Sequence, residues 1–334
     1  MERFEIVICG ASVAGALAGY VCARLGRKTV LVDSASSHQP GEGLAAEAAA
    51  LLEQLGLGHL LVRADHVRCA AITRVTRAGC SHHPWPGFIL DRAAFVSDLV
   101  GAAVGAGCRR VTGTVATVSR NAGGEGLCAQ IATATQVLEI QADFAIDASG
   151  RKAFIARRLG ASRRVLTNLA AAWATFPTRM IATEPGVLKI EAAGRHWWYA
   201  AVGRRRVAAA VMGRRPPRTP AAWLAAARST VLLHELPQSA ALRPLVRPAN
   251  VSVVEPAAGP HWVACGDAAA TFDPLSGYGL SFAIGTGYAA ARAADAFLRG
   301  KRLAPVAYQE LVADRVYRSW TGLDEAYANL ARAA

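Results

Sequence analysis

Apolar and polar positions follow two different periods along this chain. "FEIVIC", Phe4 to Cys9, is a short apolar run rich in β-branched residues, as a buried strand requires. Gly10 breaks it, an Ala-rich stretch with helical spacing runs on to Gly26, and "KTVLVD" is a second buried strand. Together they predict one βαβ unit. Helices are expected over 44–58, "LAAEAAALLEQLGLG", which stops at glycine, and over 91–106, "DRAAFVSDLVGAAVGA", with Asp91 as N-cap. "CRRVTGTVATVSRN", "LCAQIATAT" and "VLEIQADFAIDASG" read as three strands, the last closing on a glycine turn at Gly150.

From 165 to 255 the texture changes to alternating strands with Pro-rich joints such as "RRPPRTP", plus a helix near "PAAWLAAARSTVLLHEL". Then "HWVACGDAAATFDPLSGYG" runs from a strand into a loop, and helices follow. No internal repeat or low-complexity tail interrupts this order. A nucleotide-type half is thus broken by a strand-rich insert and resumed at about residue 256. That order predicts an α/β protein of two interleaved domains, not two beads.

Composition narrows the class. A chain of 334 residues with 53% hydrophobic content excludes disorder and supplies ample core. No window reaches the roughly 18 uninterrupted apolar residues of a membrane span. "MERFEIVICG" lacks a basic segment followed by an apolar stretch and a small-residue cleavage site, so it reads as a first strand and not an export signal. A cytoplasmic location and no membrane partner are the expectations. Seven scattered cysteines without CxxC point to reduced, buried thiols, with no disulfide framework and no metal.

The net charge of +13 is nearly all arginine; the only lysines are Lys28, Lys152, Lys189 and Lys301. It fits a solvated arginine-rich surface or a docking face for an acidic partner. Nucleic acid ranks last, because no zinc-finger spacing, RRM motif or aromatic-interleaved basic stripe occurs. The densest run, "RHWWYAAVGRRRVAAAVMGRRPPR", alternates with β-prone residues and predicts strands with charged edges.

The first candidate site is Gly10-Ala11-Ser12-Val13-Ala14-Gly15, with Gly19 four residues on. Gly10 suits the tight turn, and Gly15 and Gly19 allow close helix packing. Ser12 stands where a glycine usually lets backbone approach a pyrophosphate; its hydroxyl is itself a phosphate ligand. A helix opening there aims free N–H groups at an anion. Asp33 ends the second strand, 23 residues after Gly10, where a carboxylate suits a ribose hydroxyl pair.

Four further stretches follow in order: "GEGLAAEAAALLEQLGL", "ILDRAAF", "AIDASGRKAFIARRLGA" and "ACGDAAATFDPLSGYG". With the N-terminal motif, they resemble the FAD-dependent monooxygenase superfamily of p-hydroxybenzoate hydroxylase type. Its tryptophan-halogenase-like branch, which includes flavoproteins that mature peptidyl quinone cofactors, is the most similar. The resemblance spans residues 4 to about 300. It implies a Rossmann-like FAD-binding domain, 1–164 plus 256–334, interleaved with a strand-rich substrate domain of mixed and antiparallel sheet, 165–255. Elements around 60–95 would add to the substrate side.

By this resemblance Gly10, Ser12, Ala14, Gly15 and Asp33 hold the ADP half. Gly266 and Asp267 meet the ribityl chain, Pro274 borders the isoalloxazine, and the Gly277 to Gly279 turn aims N–H groups at its N1/C2=O edge. A helix N-terminus there would stabilise the negative charge of reduced flavin. Arg92 would contact the ribityl-phosphate region; the plainer reading of Arg92 is a helix-start ion pair with Asp91 or Asp98, and of Asp267 a helix cap. Asp147 and Gly150 read as architectural.

The departures matter as much. Halogenases of this branch use a lysine after the "GE" stretch and carry a WxWxIP signature. No lysine lies between Gly41 and Ala94, and the nearest analogue of the signature, "HWWYAAV", lacks the proline. Arginine cannot replace a desolvated amine, so halogenation is disfavoured. There is no second GxGxxG unit, so electrons would come from transiently bound NAD(P)H or a partner flavin reductase. Candidate pocket walls are His82, His83 and Trp85, and His196, Trp197, Trp198 and Tyr199, with Tyr278 from the loop; His196, Trp197 and Tyr278 are the chosen site candidates. The resemblance implies an O2-consuming monooxygenase that hydroxylates an electron-rich aromatic through a flavin C4a-hydroperoxide. The substrate is a small natural-product intermediate or an indole side chain on an acidic peptide or protein. A flavin reductase of isoprenoid double bonds is the competing reading.

Overall fold

The computed structural model describes residues 1–34, 42–76, 79–121, 123–193 and 196–333, with side chains through 323. The chain begins β1 (Glu2–Cys9), α1 (Val13–Arg24), β2 (Thr29–Asp33), β3 (Glu42–Ala45), α2 (Ala46–Gln54), β4 (Val67–Thr76), β5 (Gly79–Leu90) and α3 (Arg92–Gly105). It continues β6 (Arg109–Thr112), β7 (Thr114–Arg120), β8 (Leu127–Ala132), β9 (Val137–Asp147), α4 (Phe154–Arg158), β10 (Ser162–Val165), β11 (Ala170–Pro177), β12 (Val187–Ala193), β13 (His196–Val202) and β14 (Arg206–Gly213). It closes α5 (Pro220–Arg228), β15 (Leu245–Pro248), β16 (Ser252–Glu255), β17 (Ala258–Gly259), β18 (Trp262–Ala264), β19 (Ala270–Thr271), α6 (Gly279–Leu298) and α7 (Ala304–Ala333).

The first sheet runs β17-β18-β9-β1-β2-β6, with β8 on β9 and β7 on β8. β1 pairs parallel with both β2 and β9, and β18 parallel with β9. These strands are apolar on both faces because helices cover them. Ile6, Val7 and Ile8 are fully buried. Helix α1 crosses α6 so closely that a Cβ on Gly287 would lie 2.5 Å from the Ala14 carbonyl oxygen. Ala14 is therefore a packing residue beneath α6 and Gly266.

The second sheet runs β15-β11-β14-β13-β12-β4-β5-β3 and is antiparallel except for β12 against β4. β10, β16 and β19 form a small third sheet. Strand alternation gives the second sheet two unlike faces. Trp198, Val202, Val207 and Val211 pack with Trp223 of α5 in a closed core. Trp197, Ile190 and Met212 lie on the opposite face, with Trp173 and Tyr199 against them.

Two expected helices are shorter than their periodicity. Residues 42–45 pair with 87–90 as strand, so α2 begins only at Ala46. α5 stops at Arg228 because the Glu191 carboxylate accepts the Val231 and Leu232 amides at 3.0 and 2.9 Å, which draws the chain out of its helical path. The single strand expected over "CRRVTGTVATVSRN" divides at Gly113 into β6, parallel to β2, and β7, antiparallel to β8. Among the described residues no helix is long and apolar enough to cross a membrane, and no cluster of His, Cys, Asp and Glu could hold a metal.

Candidate flavin and substrate site

The βαβ turn is closed to any side chain. Gly10 has φ +105°, and a Cβ there would lie 2.3 Å from the Ala148 oxygen. A Cβ on Gly15 would lie 1.9 Å from the Gly10 oxygen. Gly15 thus guards the turn itself, and the phosphate approach only through it. Ser12 is the N-cap of α1, yet its side chain makes no capping bond, so among the described residues no side-chain cap competes with an anion for the first-turn amides. Asp33 stands at the end of β2, where its carboxylate receives Arg110 of β6 at 2.6 Å.

The loop after β18 brings the other half of a cradle. Gly266 takes φ +55°, its amide donating to Thr286 Oγ1 at 2.9 Å, and a Cβ there would press on Ala14 at 3.0 Å. The Asp267 side chain is 53% exposed; it caps no helix. Two arginines that the sequence reading did not single out for this role hold its loop. Arg163 donates to the Asp267 carbonyl at 2.6 Å and to Ser252 Oγ at 2.7 Å. Arg151 donates to the Asn250 carbonyl at 3.3 Å and lies 4.0 Å from the Asp267 carboxylate. Burial pulls both guanidiniums below their ordinary range, with the two like charges adding for Arg163. Asp147 is buried and architectural: it accepts from the Ser149 hydroxyl at 2.6 Å and from the Ala156 amide at 2.9 Å.

Pro274 opens a short turn capped by Asp273, whose Oδ1 accepts the Leu275 amide at 2.9 Å. Gly277 takes φ +62° and leads through Tyr278 into α6 at Gly279. A Cβ at Gly277 or Gly279 would meet nothing within 4 Å, so this edge has room for a flat group against backbone. Gly10, Ser12 and Gly15 lie on the turn after β1 and the start of α1, Gly266 and Asp267 on the loop after β18, and Pro274, Gly277 and Gly279 on the turn that opens α6. Open amides, hydroxyl and carboxylate in that order fit an FAD.

Arg92 takes neither predicted partner. Its Nη1 lies 2.6 Å from both oxygens of Glu42, while Asp91 caps α3 through Ala94 N and Asp98 pairs with Arg63. The Arg92 Nε is buried without a partner among the described residues. Tyr199 lies beside Glu42 and Gly43, and its burial pushes the phenol well above its usual range.

The three chosen candidates do not converge. Trp197 is 5% exposed on the face that meets Leu275, and its Nε1 has no partner among the described residues. Trp198 is excluded from any pocket by its place under α5. Tyr278 turns the other way, edge-on to Phe272 at 5.2 Å, with its hydroxyl accepting from Arg315 of α7 at 3.5 Å. Leu275, not Tyr278, closes the gap to the second sheet. His196 sits at the sheet's end, its Nε2 3.2 Å from the Arg215 carbonyl. Of the other walls, Trp85 packs beside Tyr199 and over Gly43, whereas His82 and His83 bond Thr73 and Ser81 on the exposed part of β5. Alternation along β13 marks Trp197 against Trp198, but the face that meets Leu275 depends on tertiary packing.

No family model matches the chain. It is 27% identical to the menaquinone reductase of Mycobacterium tuberculosis over 362 aligned positions, 96% of this chain and 82% of that protein. Among solved structures it is similar to the peptidyl tryptophan dihydroxylase QhpG, essential for tryptophylquinone cofactor biogenesis: TM-score 0.79, 24% identity, 98% of this chain and 75% of that one. It is similar also to the myxobacterial chondrochloren halogenase CndH, an FAD-dependent halogenase: TM-score 0.86, 17% identity, 99% and 83% covered. With a glycine turn after β1, a Gly–Asp loop after β18 and a mixed sheet roofing that loop, the chain has the fold of the FAD-dependent monooxygenase superfamily, p-hydroxybenzoate hydroxylase type.

Proposed function

We propose that this protein is an FAD-dependent monooxygenase that hydroxylates an electron-rich aromatic group, an indole side chain on a peptide or protein. The observation that carries the reading is the aromatic face of the second sheet. Trp173, Trp197 and Tyr199 stand opposite Leu275, which follows the residue proposed to border the flavin. In this reading residues 1–164 and 256–334 bind FAD, and 165–255 with β3–β5 form the substrate side. The likeness to QhpG over 98% of the chain supports the substrate class.

Bound FAD supplies the redox chemistry, with electrons from NAD(P)H or a partner reductase and oxygen from O2. The chain's own residues bind and orient. The α1 amides and Ser12 would hold the pyrophosphate, and Asp267 a ribityl hydroxyl. The α6 amides after Gly277 would favour negative charge on a flavin bound against them. The Trp197 face excludes water and stacks the substrate ring. No titratable group is required on that face, since positioning suffices for the transfer. The absence of lysine from 42–93 argues that halide takes no part.

The test is a tryptophan-containing peptide with the FAD-loaded protein, an NAD(P)H-driven flavin reductase and labelled O2. Label in the indole supports the reading; reoxidation of the reduced flavin by O2 without labelled product overturns it. A second reading, reduction of an isoprenoid double bond on a quinone, is favoured by the 27% identity to a menaquinone reductase. It predicts anaerobic uptake of two hydrogens by menaquinone and no need for O2.

A further inference from the structure

We infer that Asn250 is a positioning residue that holds the Arg151 guanidinium off the Asp267 carboxylate, and so keeps that carboxylate open to the cofactor. This inference rests on the FAD site proposed above.

The loop after β18 is gripped by its backbone and free at its acidic side chain. Arg163 of β10 donates to the Asp267 carbonyl at 2.6 Å and to the Ala268 carbonyl at 3.4 Å, while the Gly266 amide is fixed by Thr286. Among the described residues no donor lies within hydrogen-bond distance of the Asp267 carboxylate, and its side chain is half exposed. The cation beside it is Arg151, whose Nε stands 4.0 Å away, beyond hydrogen-bond reach.

Coulomb attraction alone would close that gap, because a forked arginine–carboxylate pair is among the stronger contacts a guanidinium can make. Asn250, between β15 and β16, competes for the fork. Arg151 Nη1 donates to Asn250 Oδ1, and Nη1 and Nη2 each reach its carbonyl at 3.3 Å. Only Nε is left toward Asp267.

Asn250 is itself held from the other side. The Thr271 hydroxyl donates to the Asn250 carbonyl at 2.9 Å. A hydroxyl has one proton, so Ser252 is the donor in its 2.8 Å contact with Thr271, and its oxygen accepts Arg163 Nη1 at 2.7 Å. Ser252 and Thr271 are buried, where such a run of hydrogen bonds is rigid. It leads from Arg163, which pins the loop's backbone, to Arg151, which is kept from its side chain. A hydroxyl-bearing ligand can then donate to Asp267 without first breaking an ion pair.

The experiment titrates FAD into the flavin-free full chain and follows flavin fluorescence in the wild type, Asn250→Ala, Arg151→Met and the double variant. Asn250→Ala releases the fork to Asp267, and FAD affinity should fall about three- to fivefold, the worth of a half-exposed ion pair. Arg151→Met should bind FAD at least as tightly as the wild type, and Asn250→Ala should have no further effect in that background. A residue that only supports the fold would weaken binding equally in both backgrounds. Such an equal loss, unchanged affinity in Asn250→Ala, or weaker binding by Arg151→Met alone overturns the inference and leaves the flavin reading standing. Arg151→Met decides by itself where Asn250→Ala does not fold. If the wild type takes up no FAD, both fall.

Discussion

Arg92 and Glu42 close an ion pair at 2.6 Å between the start of α3 and the edge strand β3. The pair ties the first sheet's helix layer to the second sheet, and Glu42 lies next to Tyr199. Arg92 is thereby held by a carboxylate, and its Nε has no partner among the described residues.

The two side chains should act as a unit. Arg92→Met and Glu42→Gln are expected to cost similar amounts of stability, about 1 kcal/mol or less each given partial exposure, seen as small and matching drops in melting temperature. The double variant should cost little more than either single one. A loss of FAD affinity in Arg92→Met alone would instead mean direct contact with the cofactor.

Asp267 and Gly15 should fail differently. Asp267 is half exposed, so Asp267→Ala should fold normally and bind FAD roughly ten- to a hundredfold more weakly, the value of a charge-assisted hydrogen bond. Gly15→Val places a side chain 1.9 Å from the Gly10 oxygen and should give insoluble or colourless protein. Flavin absorbance after gel filtration separates the two. A yellow, stable Gly15→Val protein would contradict the turn geometry.

His66 gives stability a pH dependence of known sign. It is buried, and its Nδ1 accepts the Asp91 amide at 3.2 Å. Burial lowers its pKa below 6.5, so the unfolded chain takes up the proton first as pH falls. The native state therefore loses stability from about pH 7 downward, through the window between 6.5 and the lower folded value. His66→Asn keeps an acceptor without the titration. Its melting temperature should fall less than that of the wild type between pH 7.5 and 5.5, and parallel curves would rule the assignment out.

The thiols should divide sharply. Burial pushes Cys108 up to about 12 and raises Cys9, Cys22, Cys69 and Cys265 as well. Cys80 is exposed and Cys128 half-buried. At pH 8 a thiol reagent should label Cys80 first and the five buried cysteines only after denaturation. Rapid labelling of Cys265 in the native protein would mean that the first sheet opens.

Sequence alone determined the parts whose physics is local. The apolar run before Gly10, the glycines at 10 and 15 and the acidic end of β2 specify a βαβ turn, because steric demands there act within a few residues. The same holds for "GDAAATFDPLSGYG", whose Gly277 needs a positive φ. Tertiary structure decided what depends on distant partners. It set residues 42–45 as strand through pairing with 87–90, and it ended α5 early through Glu191. It turned Tyr278 toward α7 and placed Leu275 over the sheet. It also separated arginines that read as one basic run, because an eight-residue extended strand carries its two ends apart. A side chain's face and neighbours are fixed by long-range packing, which residue order by itself does not contain.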